Sequence, residues 1–176
     1  NAFTDALAWS GMEAVRDGFL AAFHGGDSDA ARLGRACMSY AALLSGITLA
    51  QAGLGSVHGL ASPLGAYFPI PHGVVCGTLV ATATEANIRA LRERTPEGIA
   101  LEKYARVGEL LAGQSFSRPE TAWQALAQIL HDWTQRLGIH RLGSYGVNEA
   151  DIPRIVAGSR GSSMKTNPLV LADEEI

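Results

Sequence analysis

Apolar residues recur every three or four positions along most of this chain, which is the helical period. Over residues 3–23 the recurring positions are Leu7, Val15, Phe19, Leu20 and Phe23, with Thr4 or Asp5 near the start and His24, Gly25 and Gly26 as the stop. Asp27 or Ser28 can cap a second helix reaching about residue 52, with Leu33, Cys37, Tyr40, Leu44 and Ile47 on one stripe. Gly53 and Gly55 break it. A short segment over 54–67 follows, with Pro63 placed near a helix start or at a kink. Pro69 and Pro71 demand an extended corner, from which a helix over 73–94 departs.

The second half repeats the pattern. Thr95, Pro96 and Glu97 read as a cap followed by proline in the first turn of a helix that ends near Gly113. Ser117, Pro119 and Glu120 predict another start, with capping-box spacing from Ser117 to Glu120, and that helix runs to Gly138. Asn148 or Asp151 opens a short helix to about Gly158. Residues 159–168 read as loop, and 171–176 as a helix just begun. No strand-period run, β-α-β alternation, internal repeat or low-complexity segment occurs. Gly53-x-Gly55 lacks the preceding strand and third glycine of a dinucleotide loop. The expected fold is a single all-α domain over residues 1–176, a helical bundle.

Composition changes this picture little. In 176 residues, 47% hydrophobic and 18% charged, there is material for one packed core and too little polarity for disorder. A net charge of −3 without a basic run leaves nucleic acid no electrostatic footprint. The apolar stretch from Gly73 to Ala83 is too short to span a membrane, no signal peptide is visible, and the absent initial Met suggests a cut chain. Cys37 and Cys76, in helical text, read as buried free thiols of a reducing, cytoplasmic compartment.

The chemistry-bearing stretch is Gly53-Leu-Gly-Ser-Val-His58-Gly-Leu-Ala-Ser62-Pro63-Leu-Gly65, closed by Pro71-His72-Gly73. Its two histidines stand fourteen residues apart across a corner rich in Pro and Gly. Such a corner can fold His72 back toward His58, and neutral imidazoles are good ligands for zinc or ferrous iron. Spacing alone leaves open that both are structural histidines of a non-catalytic helical interaction module. His24, His131 and His140 read as solvated or structural, Trp123 and Trp133 as core anchors, and Tyr67 and Phe68 as core.

This stretch resembles the second signature of the iron-containing (group III) alcohol dehydrogenases, Gly-Leu-Gly-x-x-His-Gly-x-Ala-His-Pro-Leu-Gly and then Pro-His-Gly. Residues 1–8 resemble the segment after that family's first metal-ligand helix. Asn167-Pro168 with Leu171, Glu174, Glu175 and Ile176 resembles its closing segment; the likeness is weak between about residues 87 and 159. The resemblance implies a dehydroquinate synthase-like C-terminal helical domain, with His58 and His72 as the third and fourth ligands of a divalent metal, Fe²⁺ or Zn²⁺. The other two ligands and the NAD(P)-binding domain would lie upstream. It implies oxidation of an alcohol, or reduction of an aldehyde, by hydride transfer in a homo-oligomeric protein.

The family usually has a histidine where this chain has Ser62, and an Asn where it has Gln51. A hydroxyl can relay a proton but cannot take one up near neutral pH as imidazole can. Ser62 is therefore a candidate for proton transfer, with capping of the turn before Pro63 as its structural alternative. Leu49 and Ser163 fall at positions that line the family's substrate pocket, although both also suit plain core or loop roles. Glycerol dehydrogenases and maleylacetate reductases are the neighbouring alternatives. By itself the chain is expected to turn over no alcohol, and to hold a divalent ion weakly or not at all.

Overall fold

The computed structural model describes residues 1–176 and contains helices and turns but no strand. Its helices form two compact units, residues 1–53 and 54–176, where the sequence reads as one domain.

The first unit is a helical hairpin of α1 (Ala2–His24) and α2 (Asp29–Ala52). The Asn1 side chain accepts from the backbone N–H groups of Phe3 and Thr4, and Ser28 accepts from that of Ala31. These bonds satisfy donors that have no partner inside a helix. Only part of the expected α2 stripe, Leu44 and half-buried Cys37, faces α1. The residues buried are Thr4, Gly11 and Gly18 on α1 and Ala31, Gly34 and Leu44 on α2. A Cβ on Gly18 would lie 2.4 Å from Cys37 Cβ, and one on Gly34 2.6 Å from the Ala22 nitrogen. Glycine lets the backbones close to a distance that larger side chains would block. Leu33, Tyr40 and Ile47, expected inside, are exposed instead. With so much Ala, Leu and Ile, α2 is long and apolar enough to cross a membrane by length and composition only.

The second unit holds α3 (Ser56–Tyr67), α4 (His72–Arg94), α5 (Ile99–Ala112), α6 (Pro119–Arg136), α7 (Ile152–Gly158) and the single turn α8 (Ser162–Lys165), with 3₁₀ turns at 142–145, 149–151 and 173–175. Two starts differ from expectation. Thr95 closes α4, its N–H reaching Leu91 O at 2.7 Å, while Gly98 precedes α5. Arg118, not Ser117, is the residue before α6, and Pro119 fills the first turn without any side-chain cap. Proline there forfeits no bond, because that N–H is unpaired in any helix. Part of the expected loop at 159–168 winds into α8.

α4 runs through two apolar clusters. Near its start Val75 joins Leu60, Ala61, Leu64, Ile70 and Ile155; near its end Ile88 and Leu91 join Leu101, with Tyr104 and Trp123 against them. The sixteen residue steps from Val75 to Leu91 span about 24 Å at 1.5 Å each. Near the second cluster α5 and α6 come very close: a Cβ on Gly108 would sit 2.1 Å from Ala122 O.

Candidate metal centre

The start of α3 is built from parts distant in sequence. The first N–H groups of a helix lack intrahelical acceptors. Here the Ser56 N–H donates to Asn167 Oδ1 at 3.0 Å, and the Leu54 N–H to Thr166 Oγ1 at 3.0 Å. Asn87, buried on α4, donates through Nδ2 to Ser56 Oγ, Tyr104 OH and Asn167 Oδ1, and its own Oδ1 accepts from Asn167 Nδ2 at 2.7 Å. This network pins α3 two residues before His58.

Pro63 lies inside α3 rather than at its start. Its ring removes the bond to residue 59 and crowds that carbonyl. At 59 there is a glycine, where a Cβ would meet Met164 Cε at 2.9 Å, and Gly158 leaves similar room beside Pro63. The helix is thereby packed flat on the segment from α7 to α8. After Tyr67 the chain extends through Phe68 and Pro69, drops buried Ile70 into the core, and turns at Pro71 into α4.

That turn brings the histidines together, as their spacing allows. The rings of His58 and His72 have centroids 5.2 Å apart at 49°. His58 is half-buried and His72 exposed. Desolvation, and secondarily repulsion from His72, hold the His58 imidazole below its ordinary value. The neutral form that binds a metal is therefore favoured.

A third donor was missed by sequence reading. Cys76 lies one helical turn after His72 on the same face of α4. Its Sγ is 3.5 Å from His72 Nε2 and 3.9 Å from His58 Nε2. Donor atoms of all three residues lie within 4.8 Å of one another. The available signal was the His-x-x-x-Cys spacing of α4, which reads equally as core text. Burial pushes the Cys76 thiol up, so without a metal it is protonated. Both cysteines are free and half-buried.

The other candidates are dispersed. Ser62 sits exposed within α3, one turn past His58; Gly55 precedes that helix, so Ser62 does not cap it. Ser163 is half-buried on α8, and Leu49 belongs to α2 of the first unit. Phe68 packs on the first cluster, while exposed Tyr67 lies beneath the Arg154 guanidinium at 4.9 Å. His131 pairs with Glu85 at 3.2 Å, and Trp123 donates to Leu101 O at 2.9 Å. Gly53 and Gly55 stand between two helices, not after a strand. They supply no dinucleotide loop.

The arrangement fits a divalent ion on the chemistry of its donors, two imidazoles and a thiol. It does not fit a dinucleotide.

Comparison with known proteins shows what the whole chain is similar to. The chain is 29% identical over 180 residues to "Alcohol dehydrogenase 4" of Saccharomyces cerevisiae (strain YJM789), covering 100% of this chain and 43% of that protein. It is 32% identical over 156 residues to the 1,3-propanediol dehydrogenase of Klebsiella pneumoniae, covering 87% and 37%. The crystal structure of a 1,3-propanediol oxidoreductase superposes with a TM-score of 0.83 at 26% identity, covering 99% of this chain and 44% of that one. The chain thus spans under half the length of these relatives. A profile described as the Fe-containing alcohol dehydrogenase family, C-terminal, matches residues 1–176, and the chain belongs to that family as its C-terminal part.

Proposed function

We propose that this chain is the metal-holding and substrate-cleft part of an NAD(P)-linked alcohol dehydrogenase. The observation that carries the reading is the convergence of His58 and His72 across the corner between α3 and α4, within a chain that matches the family from end to end. His58 and His72 would hold Fe²⁺ or Zn²⁺. When bound, the ion supplies Lewis acidity toward an alcohol or aldehyde oxygen. The Asn167 network keeps His58 in place, and burial keeps its imidazole neutral and ready to ligate. Ser62, exposed one turn further along α3, would pass a proton between the site and water. Leu49 and Ser163 would contact the substrate. The nicotinamide nucleotide would be held by residues outside this chain, in a cytoplasmic, homo-oligomeric enzyme.

The test is elemental analysis and nicotinamide-coupled alcohol oxidation by the protein carrying the upstream half. His58→Ala and His72→Ala are expected to lose metal and turnover together. Equal metal content in wild type and His58→Ala would remove His58 as a ligand and leave the interaction-module reading. Turnover by the 176-residue chain alone would overturn the need for a second half.

A further inference from the structure

We infer that Cys76 is a third metal ligand, which makes this chain by itself a His₂Cys site selective for thiophilic divalent ions such as zinc or cobalt(II). The inference rests on the reading that His58 and His72 hold metal, and it goes beyond that reading by naming a ligand and a selectivity. Three observations carry it.

The first is distance. A tetrahedral zinc ion with Zn–S of about 2.3 Å and Zn–N of about 2.0–2.1 Å sets sulfur–nitrogen edges of about 3.6 Å. The edges here are 3.5 Å to His72 and 3.9 Å to His58. The two sulfur edges thus match a tetrahedral ion to within a few tenths of an ångström, and all three donor atoms lie within 4.8 Å of one another. The second is placement. His72 and Cys76 share one face of α4 at a separation of four residues, so the helix itself presents two donors to a third on α3. The third is exposure. Val75 is fully buried, whereas Cys76 is half-buried and its sulfur meets both imidazoles. Cys76 thus packs against the cluster of Val75 with part of its surface and presents its sulfur to the imidazoles with the rest.

The chemistry follows. On binding, the S–H bond breaks, its proton passes to solvent, and a sulfur–metal bond forms. Two imidazoles alone are open to many divalent ions, whereas a thiolate biases the set toward soft or borderline ones and against magnesium and calcium. In this chain taken by itself, three donors leave at least one coordination position open, to which the upstream ligands implied by the family resemblance would have access. The expectation from sequence, that the chain alone holds metal weakly or not at all, changes with the added thiolate.

The test is anaerobic titration of the 176-residue chain with cobalt(II), followed by displacement with zinc. The expected result is a near-ultraviolet sulfur-to-cobalt charge-transfer band in wild type and in Cys37→Ser, absent in Cys76→Ala. Outer-shell changes alone cost 10–100-fold in affinity, so loss of Cys76 is expected to weaken zinc at least about tenfold. No band in wild type, or an unchanged band and affinity in Cys76→Ala, overturns the inference. Should Cys76→Ala fail to fold, alkylation of the wild-type chain decides: zinc is expected to protect Cys76 and not Cys37, and equal labelling of Cys76 with and without zinc refutes it. His58→Ala separates the two proposals. If it abolishes cobalt binding while Cys76→Ala changes nothing, only the Cys76 assignment fails.

Discussion

Replacing Asn167 by Ala removes a side chain that closes four hydrogen bonds. Oδ1 accepts from the Ser56 N–H at 3.0 Å and from Asn87 Nδ2 at 3.3 Å, while Nδ2 donates to Asn87 Oδ1 at 2.7 Å and to Leu169 O at 3.0 Å. Not all four losses weigh equally. Asn87 Nδ2 keeps Ser56 Oγ and Tyr104 OH as acceptors. The groups stranded are the Ser56 N–H and Asn87 Oδ1, on residues 3% and 5% exposed. A buried polar group left unsatisfied costs about 1–3 kcal/mol, so two cost about 2–6. Asn167 itself is half-buried, and water entering the vacated space lowers the sum to about 3 kcal/mol. With a urea slope of about 2 kcal/mol/M, the unfolding midpoint should fall by about 1.5 M.

Asn167→Asp is the informative partner. It keeps an acceptor for the Ser56 N–H, and a carboxylate is favoured at a helix N-terminus. The Asn87 amide can turn its NH₂ toward that carboxylate, leaving its oxygen to accept from the hydroxyls of Ser56 and Tyr104. Asp is therefore expected to cost less than Ala. Urea unfolding followed by far-ultraviolet circular dichroism measures both. An Ala variant within about 0.5 kcal/mol of wild type, or an Asp variant worse than Ala, would refute the account of how α3 is anchored.

Two further outcomes are expected. Gly18→Leu forces a side chain into backbone and Cys37, because even its Cβ would lie 2.4 Å from Cys37 Cβ and 2.9 Å from Gly34 O. It should destabilise the α1–α2 hairpin by at least about 1–3 kcal/mol, visible as earlier thermal loss of helicity; unchanged melting would contradict the close packing. Burial raises the Tyr104 phenol above its ordinary 10.0, against a smaller opposing effect of the Asn87 hydrogen bond. The stability gained by keeping this phenol neutral is full below pH 10.0 and is lost as pH climbs through the raised value. Tyr104→Phe should cost about 0.5–1.5 kcal/mol at neutral pH and flatten that alkaline decline, and parallel urea titrations of the two proteins across the alkaline range would show no difference in slope if the phenol is not desolvated.

The helices were legible in the sequence because their signals are local. Asn148 caps the 3₁₀ turn at 149–151, Pro119 opens α6, and Gly113 closes α5 in the left-handed conformation, at φ +66°. Each device acts within a few residues of itself. The pairing of His58 with His72 was legible for the same reason, since the proline corner that folds one toward the other lies between them. Where local signals compete, reading failed: Thr95 and Ser117 are capable caps, yet chain geometry gave the helix starts to Gly98 and Arg118. The hydrophobic period also pointed outward large residues toward an interior that glycines occupy, because a period cannot tell a closely packed face from an exposed apolar one.

Sequence by itself determined an all-helical chain, its breaks, its family, and two imidazoles at one corner. Tertiary structure alone decided that Cys76, eighteen residues from His58, turns its sulfur to both rings, and that Asn167, 111 residues from Ser56, anchors the helix carrying His58. The physical reason is range. Helix formation and turns are set by neighbours in the chain, whereas a donor set and a buried polar network depend on which faces pack together, and that is decided by the summed burial of the whole unit.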